Sequence, residues 1–422
     1  MTHQTCTNIV DIIRNACRYS NTSRIAHGER VAYILMKMLQ QDFEFTEQEK
    51  QDIFMLGLLH DVGAYKKDDA DSRNRLSGYA MDDSVFAYLL FKAFSPVPEY
   101  AECILYHHHY KAQYYAVPIC ERHREIAHLI YLADFLDTSI FLNGTSLPDL
   151  LKKQKDTIFC EKHAQQFMRC NAQFSILDKL YSMEYKSELD EYTHSTLCVS
   201  ASKQYAYLMM FLFSLDFRDD YTALHTSHAL FLSQKFLERL DAANDDREIT
   251  RLCVLLHDIG RVALPPASIS TLNYELYLKR ILDRSILDVT KKILASETSH
   301  KILSTIEESF LLLGCLSTNR NVYFTPTLQG EITALSFFIS HNLTNFSYMG
   351  KLNQHDLFLF IKQRYATCDL DDTILLTLWN HYKAIEREVL HSCNEMADIY
   401  QKIKDDNHFL NTMLVHYNMK YR

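Results

Sequence analysis

The stretch LGLLHDVGAY, residues 56–65, ends an apolar run with an adjacent His60-Asp61 pair and then Gly63. Ile53, Leu56 and Leu59 recur at helical spacing before the pair, which therefore closes a largely buried helix. An ionised Asp beside an imidazole at such an apolar end is costly unless something pays for its desolvation. A divalent metal ion is one such partner. Gly63 lets the helix stop and leaves both side chains at its mouth.

Helical spacing continues on either side. Val31, Ile34, Leu35, Met38 and Leu39 share one face, as do Ile126, Leu129, Ile130 and Ala133. Strand-like alternation is scarce, with Val322 to Thr325 the best of a weak set. The chain has 9 Gly and 7 Pro in 422 residues, too few for the tight turns of a sheet protein. The reading is all-α, with loops at 66–75, 95–98, 143–148 and 241–246.

A chain this long exceeds the usual size of one hydrophobic core. HGERVAYILMKML (27–39) followed by LGLLHDVGAY is echoed by HTSHALFLSQKFL (225–237) followed by VLLHDIGRVAL (254–264). The His to His-Asp spacings of the two copies agree to within one residue, which suggests duplicated domains. The expected division is a metal-binding domain over 1–150, helical linker or closing helices over 151–200, and a second domain over 201–422.

Net charge of -9 argues against broad adhesion to long nucleic acid or anionic lipid, while leaving room for a small phosphorylated ligand in a local pocket. The 11 Cys form no C-x-x-C pair and read as reduced thiols. MTHQTCTNIVDIIRNACR reads as an amphipathic helix, because Asp11 and Arg14 interrupt its apolar pattern. Tyr205 to Leu215, the most apolar stretch, is too short to span a bilayer. The expectation is a cytoplasmic protein with no membrane attachment.

Further metal-capable residues stand at apolar surfaces. His27 lies early in an amphipathic helix, His107 and His108 end EYAECILYHH, and Asp134 interrupts AHLIYLADFLD. Imidazole and carboxylate together suit iron, manganese or zinc rather than calcium. A lone histidine on an apolar face is more often a core residue, so His128, His163 and His194 are given no role.

His27, His60-Asp61 and Asp134, in that order, resemble the pattern of the HD superfamily of metal-dependent phosphohydrolases. The adjacent His107-His108 resembles the further pair of its HD-GYP branch, which hydrolyses cyclic dinucleotides with two or three metals. The resemblance implies two divalent cations, iron or manganese before zinc, bridged by Asp61 as the central catalytic residue. It implies His27, His60, Asp61, His107, His108 and Asp134 as ligands, with Asp83 where the branch carries another His. The nucleophile implied is a metal-bound hydroxide. The departures are the absent Gly-Tyr-Pro signature, Ala64 in place of the branch's Lys, and Ser23 where a third metal would need Glu. Lys66, Lys67 or Lys111 is expected to supply the missing positive charge toward substrate.

YTALHTSHAL and LLHDIGRVALPPASI resemble the branch's opening motifs too, with Arg261 at the Lys position. The later ligands fail: the segments around Ser285, Cys315 and Ser336 lack the next His, the double His and the final Asp. His225, His257, Asp258 and Arg261 are thus read as a vestigial site, in a domain serving as a dimer surface or ligand sensor. The functional expectation is a phosphohydrolase acting on a cyclic dinucleotide or another phosphorylated small molecule. The alternative is an inactive HD-type regulatory or ligand-sensing module.

Overall fold

Seventeen α-helices and three short 3-10 helices make up the regular structure among the described residues, and no strand occurs there, as the sparse turn chemistry predicts. The structure, a computed structural model, describes residues 8–20, 27–40, 42–66, 79–108, 118–143, 160–217, 224–264, 276–296, 299–318, 324–343, 352–365 and 371–421. For 65–66, 79–82, 139–143, 276–283, 315–318, 341, 364–365 and 415–421 the description is of the backbone. The chain divides into two compact units, Ile9–Ser214 with Lys402–Arg422, and Leu215–Gln401 with the first eight residues.

The first unit opens with α1 (Ile9–Arg18), α2 (Gly28–Leu39) and α3 (Glu47–Leu59), followed by α4 (Tyr79–Phe94), α5 (Ala101–Tyr106) and α6 (Glu121–Asn143). The helices α7 (Glu161–Phe174), α8 (Ile176–Ser182), α9 (Tyr185–Ser195) and α10 (Ala201–Asp216) come next. Thr46 starts α3 with a capping box: its hydroxyl accepts from the Glu49 amide while the Glu49 carboxylate accepts from the Thr46 amide. The helix then buries Ile53 to Leu59 without a break and stops at His60. A Cβ on Gly28 would strike the Leu58 carbonyl, so only glycine lets the start of α2 approach the end of α3 this closely. That approach sets His27 beside His60.

Charge is also buried where α1 meets α2 and α9. Arg14, 1% exposed, donates to Glu29 Oε1 (3.0 Å), Asp11 Oδ1 (2.9 Å), Thr193 Oγ1 (2.9 Å) and Asp190 Oδ1 (2.8 Å). Arg18 donates to both Glu29 oxygens, at 2.7 and 2.6 Å. A guanidinium with this many acceptors offsets the desolvation that a lone buried cation would not survive.

The second unit contains α11 (His225–Arg239), α12 (Asn244–Leu256), α13 (Leu276–Ile293), α14 (His300–Thr318), α15 (Leu328–Leu343), α16 (Gln354–Tyr365) and most of α17 (Asp372–Tyr421). Its core gathers Leu232 and Phe236 of α11, Leu335 and Ile339 of α15, and Leu378, Ile385 and Val389 of α17. No helix among the described residues is long and apolar enough to cross a membrane.

Arg14→Ala is expected to cost about 3–5 kcal/mol in denaturant unfolding, because Glu29 stays buried with part of its partnership gone. Arg18→Ala, on a partly exposed side chain, should cost clearly less. Equal losses for the two would refute this account of the network.

Candidate metal centre

Four helices deliver the site. His27 precedes α2, His60 and Asp61 end α3, His107 and His108 follow α5, and Asp134 lies on α6. Ligand atoms of His27, His60 and Asp134 lie within 4.8 Å of one another, and so do those of His60, Asp61 and His107, and those of His107, His108 and Asp134. The three groups share His60, His107 and Asp134, so they form one continuous cluster.

The histidine rings are held in one orientation. His60 Nδ1 lies 2.8 Å from the Gly57 carbonyl and His107 Nδ1 lies 2.6 Å from the Ile104 carbonyl. A carbonyl oxygen only accepts, so Nδ1 carries the proton and donates. Each Nε2 then presents a lone pair, is buried, and has no hydrogen-bond partner. Two buried imidazole lone pairs aimed at two carboxylates are the donor set a divalent cation takes, so these residues fit such an ion.

Both carboxylates face two ways. Asp61 Oδ2 is 3.4 Å from His27 Nε2, while its Oδ1 is 3.9 Å from both His60 Nε2 and His107 Nε2. Asp134 Oδ1 is 3.8 Å from His27 Nε2 and 4.0 Å from His60 Nε2, and its Oδ2 is 3.6 Å from His108 Nδ1. The family resemblance implies Asp61 as the bridging group; Asp134, like Asp61, turns its two oxygens toward different histidines.

Burial alone would raise the pKa of Asp61, but His60, His27 and His108 around it hold it well below the usual carboxylate range. Burial, with His108 and His60 nearby, holds His107 well below the ordinary imidazole value, in its neutral ligating form. Burial would also lower His27, yet Asp137, Asp61 and Asp134 outweigh it and push its pKa up to about 10. The carboxylates therefore keep a proton on His27, and a cation competes for the same Nε2 lone pair.

Asp137 escaped the sequence reading. It stands one helical turn beyond Asp134 in DFLD, 2% exposed, with Oδ2 3.4 Å from His27 Nδ1. Arg30 clamps it from the other side, donating through Nε at 2.6 Å and Nη2 at 2.8 Å. Burial would raise the Asp137 pKa, but His27 and Arg30 hold it down. The i, i+3 spacing from Asp134 was the available signal; that Asp137 turns toward His27 depends on how α6 packs on α2.

Asp83 is buried on α4 but does not join the three ligand groups. Lys67 and Lys111 lie outside the described residues, and of Lys66 only the backbone is described. In the second unit His225, His257 and Asp258 bring ligand atoms within 4.8 Å of one another. Arg261 Nη1 sits 3.3 Å from the buried Asp216 Oδ1 and 3.8 Å from Asp258 Oδ2.

Residues 24–139 match the family model described as HD domain. The 3′3′-cGAMP-specific phosphodiesterase 1 of Vibrio cholerae is 34% identical over 115 residues, which are 27% of this chain and 26% of that protein. The match thus spans only about a quarter of that curated relative. A crystal structure of cyclic GMP-AMP specific phosphodiesterases in V. cholerae aligns over 91% of this chain and 97% of its own, with a TM-score of 0.50 and 13% identity. At that identity the likeness concerns the all-helical fold alone.

Asp137→Ala should weaken metal retention about 10–100-fold by freeing the His27 ring. Competition against a chelator measures this, and Arg30→Ala should show a smaller loss in the same direction. Unchanged retention in Asp137→Ala would refute the orienting role.

Proposed function

We propose that the first unit is a metal-dependent phosphohydrolase cleaving a phosphodiester of a cyclic dinucleotide. The observation that carries this reading is the pair of buried, proton-free Nε2 atoms of His60 and His107 converging with Asp61 and Asp134. Such a set of nitrogen and carboxylate donors suits iron or manganese, with zinc as a third candidate. The substrate class rests on the similarity of this segment to the V. cholerae phosphodiesterase.

Divalent cations, when bound, make a water nucleophilic near neutral pH and neutralise phosphate charge. The chain's residues do the rest. His60, His107 and His108 would give nitrogen donors, His27 would join them on yielding its extra proton, and Asp61 and Asp134 would give the negative charge that holds the cations. Asp137, with its carboxylate 3.4 Å from His27 Nδ1, would favour a proton on that side of the ring and so leave Nε2 to face inward. Lys66, Lys67 and Lys111, which flank the cluster in sequence, are the cationic residues proposed to meet the substrate phosphates.

The tandem organisation is part of the same proposal: 1–150 as the active domain, 151–200 as its closing helices, 201–422 as a second HD-like domain. The repeated His to His-Asp spacing supports it.

Protein purified without chelator should carry two iron or manganese ions per chain and hydrolyse a cyclic dinucleotide or bis(p-nitrophenyl) phosphate. Asp61→Ala should abolish turnover by at least about 1,000-fold, as removal of a group central to the chemistry does, and should release metal. A folded wild-type chain that holds metal but cleaves none of these esters would overturn the hydrolase reading. A folded chain that binds no metal would overturn the site itself.

A further inference from the structure

The second unit repeats the first beyond its sequence echo. His257 and Asp258 end α12 as His60 and Asp61 end α3, and a 3-10 turn follows each, Ile259–Ala263 and Val62–Lys66. His257 Nδ1 again faces the carbonyl three residues back, that of Val254 at 3.1 Å. In both units the glycine two residues after the Asp is pressed against the next described helix. A Cβ on Gly63 would strike the Asp83 carbonyl, and one on Gly260 would strike the Ile286 carbonyl. Ile286 therefore stands where Asp83 stands.

The same register identifies what replaced Asp134. In the first unit Asp134 faces His27 and His60, and Asp137, three residues on, reaches His27 Nδ1. In the second unit Phe337 on α15 packs against His225, with ring centroids 5.2 Å apart, and stacks on His257 with the planes 21° apart. Ser340, three residues on, lies 2.8 Å from His225 Nδ1. Phe337 matches Asp134 and Ser340 matches Asp137. Phe337 is 1% exposed, so its ring fills the position rather than leaving it open to solvent.

We infer that Phe337 plugs a former metal position, so that the second unit keeps an HD scaffold and holds no metal ion. This rests on the reading of Asp134 as a ligand in the first unit. A phenyl ring offers a cation no lone pair, so the turn that supplies a carboxylate through Asp134 in the first unit supplies no donor here. Asp258 already has a cationic neighbour in Arg261, whereas Ala64 occupies the equivalent place in the first unit. His225, His257 and Asp258 alone give three donors, one fewer than the four protein ligands of a structural zinc site.

The test is equilibrium dialysis of the full chain against Mn²⁺ and Zn²⁺, with bound metal counted by mass spectrometry. In a His60→Ala/Asp61→Ala background the chain should hold less than about a tenth of an ion, and adding His257→Ala should change nothing. Metal retained in that background and lost on adding His257→Ala overturns the inference. Phe337→His, which keeps a ring of similar shape, and Phe337→Asp should each restore about one ion per chain to that background. A folded variant of either kind that gains none also overturns it. Should neither variant fold, the His257→Ala comparison decides alone. Absence of metal from the wild-type chain would refute the first-unit reading, while the gain in Phe337→His would still report on the plug.

Discussion

A helix end leaves its last carbonyls without amide partners. In the first unit the Gly57 and Ile104 carbonyls are given to histidines three residues on, His60 and His107. That local contact fixes which ring nitrogen is protonated and leaves the other as a bare donor in the interior. The candidate centre depends on this arrangement. With the opposite tautomer Nε2 would carry a proton, and the carboxylates opposite would receive hydrogen bonds in place of a cation.

The fold supplies what the helix ends cannot. Gly28 brings the start of α2 against the end of α3, setting His27 next to His60. Asp134 and Asp137 then face this pair from α6, one toward the cluster and the other toward the back of His27. Arg30 completes a chain from guanidinium to carboxylate to imidazole. A metal-binding histidine held from behind by a carboxylate is a recurrent arrangement, because it sets both the tautomer and the orientation of the ring. Without a cation, the carboxylates satisfy themselves by keeping His27 protonated.

The two units differ at this point. Each keeps a His-Asp pair at a helix end, a carbonyl behind the histidine and a glycine under the following turn. Only the first presents carboxylate from the helix that crosses behind. In the second, Phe337 and Ser340 occupy the corresponding turn, and Arg261 is engaged with Asp216 and Asp258. Burial pushes the Asp216 carboxyl up to about 7 even with Arg261 beside it.

The sequence by itself determined the helical fold class and the positions able to ligate a metal. Periodic apolar residues, few Gly and Pro, and His or Asp at the ends of apolar helices are local signals, and local physics reads them. It also marked the second copy as short of an Asp in SFFISHNLTNF. The tertiary structure decided which candidates meet. Asp83 is buried in the expected segment but is not a member of the three ligand groups, Asp137 faces His27 where only its spacing from Asp134 marks it in the sequence, and Phe337 takes the turn that Asp134 holds in the other unit. Such choices depend on how distant helices rotate and approach against one another, and spacing along one helix carries no information about the face a distant helix presents.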